Sequence, residues 1–137
     1  MDKKEVIQMN ILSLAFVGDA YFSLEVRKLL AIRYKAKAGS LHIYSNKYVK
    51  ATSQAKMMAH IMPKLNDEEH DLVRRARNHH NNTKAKNAGL ADYKKATELE
   101  AIFGYYVLIE DEERLEYLFN ECIAFMDNLI IGVKSNE

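Results

Sequence analysis

Apolar residues recur along this chain at spacings of three and four with few breaks between them, a pattern that points to long helices. A first helix is expected over about residues 4–32, apolar on most faces through its middle and therefore buried along its length. Ala38-Gly39-Ser40 interrupts the pattern, and Ser40 can cap a second helix over about residues 41–62. That helix presents Leu41, Tyr44, Tyr48, Ala51, Ala55, Met58, Ala59 and Met62 on one face, which places Tyr44 and Tyr48 in the core. Met57, Met58 and Met62 read as packing. Pro63 ends the helix, and Asn66 then caps a shorter one whose first turn, Asp67-Glu68-Glu69, suits a helix N-terminus. The short helix carries Leu72, Val73 and Ala76 and ends in Arg74-Arg75-Ala76-Arg77. Residues 78–91 are polar and aperiodic, an exposed loop long enough to suggest a function. Helix resumes over about residues 92–109. The last helix, about residues 112–133, has the cleanest stripe: Leu115, Leu118, Phe119, Cys122, Ile123, Met126, Leu129, Ile130 and Val133. Cys122 lies on that stripe and is assigned to the core. One proline and five glycines in the chain agree with this layout, and the fold class is all-α.

Composition narrows the class. A chain of 137 residues is expected to form one domain, residues 1–137, with a real core. Apolar and charged contents of 48% and 28% describe an ordinary soluble protein. No apolar run approaches the ~20 residues of a membrane span, and Met1-Asp2-Lys3-Lys4-Glu5 lacks the apolar core of a secretory signal. The single cysteine excludes an internal disulfide and fits a reducing cytoplasm.

The net charge of +1 conceals a strong segregation. Residues 27–95 hold 16 Lys/Arg against 5 Asp/Glu, whereas residues 96–137 hold 2 against 10. A basic middle segment of this kind favours a polyanionic partner such as nucleic acid.

Against this background two carboxylates stand out. Asp19 is the only charge between Ile11 and Leu24, and Glu100 is the only charge between Leu99 and Ile109. A carboxylate in an apolar setting is costly unless a metal, a hydrogen bond or a counter-charge compensates it. Gly18 and Gly104 also need a reason, since glycine within a helix costs about 1 kcal/mol relative to alanine. One arrangement explains all four: two buried helices pack closely at their glycines and bring both carboxylates to one divalent cation. The alternative is a buried, hydrogen-bonded or ion-paired structural duo.

Leu14-Ala15-Phe16-Val17-Gly18-Asp19-Ala20 resembles the signature of the ribonuclease III endonuclease domain, an apolar helix ending in Gly-Asp-Ala or Gly-Asp-Ser. Glu100-Ala101-Ile102-Phe103-Gly104 resembles that family's second acidic motif. Leu41-His42, the Arg74-Ala76-Arg77-Asn78 stretch and Tyr93-Lys94-Lys95-Ala96-Thr97 are similar to its short branch, Mini-III ribonuclease, which lacks a double-stranded-RNA-binding domain. The resemblance covers nearly the whole chain, in order. Ala15 and Thr97 occupy positions that are acidic in long ribonuclease III enzymes; Mini-III proteins resemble this chain in lacking both. Glu98 does not substitute, because two residues from Glu100 on a helix it points to another face.

The resemblance implies a homodimeric, Mg²⁺-dependent endoribonuclease that cleaves double-stranded RNA and matures the ends of 23S ribosomal RNA precursors in a bacterial cytoplasm. Asp19 and Glu100 are then the catalytic, metal-binding residues, and water or phosphate completes the coordination of Mg²⁺. Arg74, Arg75, Arg77, Asn78, Lys84 and Lys86 are candidate RNA contacts. His79 and His80, adjacent in a polar stretch, lack a metal-ligand spacing. Phe16 or Phe22 is expected at the dimer axis, since a small monomer has difficulty covering every face of so apolar a helix. Two rivals are a non-catalytic RNA-binding module on the same fold and a helical protein-interaction domain.

Overall fold

A computed structural model describes residues 1–35, 37–79 and 88–135 of the chain. It consists of seven α-helices: α1 (Lys3–Ile7), α2 (Ile11–Arg33), α3 (Ala38–Val49), α4 (Ala51–Ile61), α5 (Asp67–Asn78), α6 (Ala88–Ile109) and α7 (Glu112–Ser135). A 3₁₀ turn, Met62–Lys64, carries Pro63, and no strand occurs among the described residues. The all-α expectation therefore holds.

Two helices expected to be continuous are each divided. Asn10 ends the run between α1 and α2: its Oδ1 accepts from Leu12 N at 2.8 Å and caps α2. The carbonyls left at the end of α1 are taken by a residue far along the chain, since Arg75 of α5 donates to Ile7 O and Met9 O, each at 2.8 Å. The second division falls at Lys50, whose extended backbone (ψ 154°) separates α3 from α4. Ser40 is not a cap: α3 begins at Ala38, with Lys37 at the N-cap and no side-chain cap bond. Asn66 does cap α5, forming a reciprocal box in which Asn66 Oδ1 accepts from Glu69 N (2.8 Å) and Glu69 Oε1 accepts from Asn66 N (2.9 Å). Helix α6 starts at Ala88, four residues before the expected Asp92. It ends at Ile109, where Glu110 adopts a left-handed backbone (φ 61°) and Asp111 N returns to Tyr106 O at 3.0 Å.

Helix α6 is the hub, touching α1, α2, α4, α5 and α7. Its Leu99, Ile102 and Phe103 are buried among Leu14, Phe22 and Val26 of α2, Met57 and Met58 of α4, and Leu72 of α5. The stripe on α7 is buried through Leu115, Leu118, Phe119, Cys122, Ile123 and Met126, while Leu129 and Ile130 are half-buried; the side chain of Val133 lies outside the described residues. Burial pushes the Cys122 thiol pKa upward, consistent with its place in the core.

Two polar ties join the helices. Asp127 of α7 accepts from Arg33 at 2.8 and 3.1 Å and from the Tyr48 hydroxyl at 2.7 Å. Glu69 is fully buried, yet it accepts two bonds of 2.7 Å from Arg114 and one of 2.5 Å from Tyr106. Burial alone would raise its carboxyl pKa; the bonds from Arg114, Tyr106 and the Asn66 backbone outweigh that and hold it below the usual range.

Tyr44 departs from the expected core face. It lies at the surface against Tyr34, with ring centroids 5.3 Å apart. Helix α2 likewise is not buried all round, since Phe16 is 80% exposed and Leu24 and Ile32 also face outward.

Candidate active site

Helices α2 and α6 cross with their backbones in contact. A Cβ built on Gly18 would stand 1.7 Å from Glu100 O and 2.8 Å from Gly104 N; one on Gly104 would stand 1.7 Å from Leu14 O. Only glycine at both positions permits this approach, so the inferred close packing at the two glycines is what the structure shows. Gly104 is one helical turn beyond Glu100, and Gly18 is adjacent to Asp19. The crossing therefore delivers the two carboxylates to the same spot, close enough that Asp19 shifts the Glu100 pKa.

Their surroundings differ. Asp19 is on the exposed side of α2, whereas Glu100 is only slightly exposed. Burial, then the hydrogen bond that protonated Glu100 gives to Asp19 and the charge of Asp19, push the Glu100 pKa up to about 8. The Gln54 amide of α4 acts in the opposite direction. Two carboxylates this close cannot both ionise at neutral pH unless something positive joins them, and a shared proton is the simplest such thing. A divalent cation is the other. The donor set consists of hard oxygens, which suits Mg²⁺ with several of its own waters retained. Among the described residues no third His, Cys, Asp or Glu joins the pair.

The neutral positions are packed into the fold. Ala15 is buried, and Thr97 is buried with its Oγ1 donating to Tyr93 O at 2.9 Å. Glu98 does not join Glu100: it is buried, with Oε2 3.4 Å from Arg77 Nε.

The candidate RNA contacts divide. Arg74, Arg77 and Asn78 are exposed on the second half of α5, Arg74 pairing with Asp71 at 2.8 Å. Arg75 is different, because its guanidinium is engaged with the Ile7 and Met9 carbonyls. Its geometry makes it the staple between α1 and α5. Lys84, Lys86 and His80 lie outside the described residues. His79 is half-buried at the end of α5. Phe22 is fully buried against Phe103 and Phe119, at 5.8 Å to each ring, and so is a core residue; Phe16 is the exposed one.

No motif or spacing in the sequence singles out Gln54. A weaker signal is present: residues 54, 58 and 61 share one helix face, and Met58 and Ile61 on that face are apolar and fully buried. The groove between α2 and α7, floored by Leu29, Leu115 and Phe119, includes neither carboxylate. Its rim of Glu25, Glu110, Glu112 and Glu116 is the wrong charge for phosphate.

Sequence comparison accords with this geometry. The Ribonuclease III domain matches residues 12–111, which contain both carboxylates and both glycines of the crossing. The chain belongs to the ribonuclease III family and is an endoribonuclease, of a class that acts on RNA and generally uses divalent metal ions. It is 40% identical to Mini-ribonuclease 3 of Staphylococcus aureus over 87% of this chain and 90% of that one. It is 38% identical to Mini-ribonuclease 3 of Brevibacillus brevis over 93% and 98%. Within the family it falls in the Mini-ribonuclease 3 branch. A crystal structure of a Fusobacterium nucleatum protein, 31% identical, superposes with a TM-score of 0.75 over 85% of this chain and 93% of that one. No helix among the described residues is long and apolar enough to cross a membrane.

Proposed function

We propose that this chain is a single ribonuclease III-like catalytic domain that hydrolyses double-stranded RNA with Mg²⁺ held by Asp19 and Glu100. We further propose that it works as a homodimer in the cytoplasm, on the ends of the 23S ribosomal RNA precursor. The observation that carries the chemistry is the glycine crossing, which brings Asp19 and Glu100 together.

A bound divalent cation supplies charge neutralisation at the phosphate, activation of water and stabilisation of the leaving oxygen. The protein's part is to hold two carboxylate oxygens at one point on a rigid crossing and to release the proton they share. Glu100, half enclosed by α2 and α4, keeps the spot poorly hydrated; Asp19, exposed, opens it to a large substrate. Arg74, Arg77 and Asn78 stand exposed on α5 to meet phosphates. A-form RNA is read mainly through its shape, 2′-hydroxyls and phosphates, which suits a chain that binds with basic residues.

The dimer rests on α2. Phe16, Ala20 and Leu24 lie at successive turns on its exposed face, an apolar strip on the helix that carries Asp19. A two-fold axis through this strip would set two sites on one duplex, one for each strand.

The test is to incubate the purified protein with long double-stranded RNA, with and without Mg²⁺, and to resolve the products on a gel. Metal-dependent shortening of both strands is expected; intact RNA in Mg²⁺, with binding retained, would mean a non-catalytic binding module. Sedimentation equilibrium at micromolar concentration tests the dimer, and a 15.8 kDa species that still makes double-strand cuts would overturn it.

A further inference from the structure

The division between α3 and α4 places Gln54 at the metal-binding pair. With the backbone extended at Lys50, the last carbonyls of α3 lose their helical donors. Two side chains of the first turn of α4 take them: Ser53 Oγ donates to Lys47 O at 2.5 Å, and Gln54 Nε2 donates to Val49 O at 3.0 Å. The role of Ser53 ends with that bond. Gln54 reaches further, because its side chain lies near the Glu100 carboxyl and acts to lower its pKa. Gln54 is only 2% exposed, and its Oε1 is sealed from solvent without a donor. A buried carbonyl oxygen left unpaired is costly, and a specific instance calls for an explanation.

We propose that Gln54 is a positioning residue of the metal site: anchored through Nε2 to the Val49 carbonyl, it fixes the Glu100 carboxylate toward Asp19. This rests on Asp19 and Glu100 being the metal ligands. It gives the α3–α4 division a purpose, since the division leaves the Val49 carbonyl without its helical donor and Gln54 takes that place.

The experiment is direct Mn²⁺ binding to the RNA-free chain by titration calorimetry, comparing wild type, Gln54→Met and Ser53→Ala. Methionine keeps the length and removes both polar atoms, whereas Ser53→Ala removes a bond that closes the same helix division without touching Glu100. Loss of a partner that orients a metal ligand typically weakens affinity by about 10–100-fold. That loss is expected for Gln54→Met, with Ser53→Ala binding as wild type does. In cleavage, Gln54→Met should need correspondingly more Mg²⁺ while approaching the wild-type rate at saturation. Should Gln54→Met fail to fold by circular dichroism, Gln54→Leu takes its place with the same expectation. Wild-type affinity in the Gln54 variant, or an equal loss in both variants, would overturn the proposal alone. Absence of Mn²⁺ binding by the wild type would overturn it together with the ligand assignment.

Discussion

Gly18 and Gly104 lie face to face where α2 crosses α6, so close that a methyl group on Gly18 would stand 2.8 Å from Gly104 N and one on Gly104 3.0 Å from Gly18 N. The nearest obstacles, Glu100 O and Leu14 O at 1.7 Å, are backbone atoms and cannot swing aside. Gly18→Ala or Gly104→Ala must therefore spread the helices. The expected cost is at or beyond the upper end of the ~1–3 kcal/mol typical of over-packing, read as a fall in melting temperature. Cleavage by the surviving folded fraction should fall too, since the spreading parts Asp19 from Glu100.

Asp19→Asn and Glu100→Gln keep shape and remove charge. Each is expected to cut Mg²⁺-dependent cleavage by more than about a thousandfold, the equivalent of several kcal/mol of transition-state stabilisation. Circular dichroism should be unchanged. Activity of either variant near that of wild type would exclude it as a ligand.

The raised pKa of Glu100, about 8, has a defined consequence for the metal-free protein. Below the ordinary carboxylate range Glu100 is protonated in both folded and unfolded chains. As pH rises toward about 8 the unfolded chain has lost a proton that the folded chain still holds, so Glu100 makes the fold progressively less stable until it too ionises. Glu100→Gln abolishes this effect. In EDTA the variant should gain in melting temperature relative to wild type between about pH 5 and pH 8, with little further gain above. Metal affinity of the wild type should rise over the same window, because binding displaces the proton. A difference independent of pH would show that the carboxyl is not held protonated.

The residues most legible in the sequence are those set by local chemistry. Asn66 with its three acidic followers, the stripe on α7, and the two glycines beside lone carboxylates each state a physical requirement within a few positions. The divisions at Asn10 and Lys50 are not legible, because apolar residues continue through both. The end of α1 is held by Arg75, more than sixty residues away, and no periodicity reports that. For the same reason Arg75 looks in sequence like its neighbours Arg74 and Arg77, although its charge is turned inward. Gln54 is hidden among residues that pack, visible only as a polar group on an otherwise apolar face.

Neutralising Arg74, Arg77, Lys84 and Lys86 together should weaken duplex RNA binding and flatten its dependence on salt, by roughly one unit of log–log slope for each phosphate no longer neutralised. Arg75→Gln should behave oppositely. It removes two charged hydrogen bonds to backbone, each worth about 1.5–3 kcal/mol, so the melting temperature should fall while the salt slope is retained. Filter binding across a salt series, beside thermal melts, separates the two. An unchanged slope in the quadruple variant would remove these residues from the RNA-binding surface.

The crossing of α2 and α6 also dictates when the site can exist during folding. Asp19 and Glu100 are about eighty residues apart, so they meet only after a large loop has closed and the interior has excluded water around the glycines. A cation held by both has no purchase on a half-assembled chain. Mg²⁺ should accordingly leave the refolding rate untouched and lengthen the lifetime of the native protein, its whole effect appearing on the unfolding arm of a chevron plot.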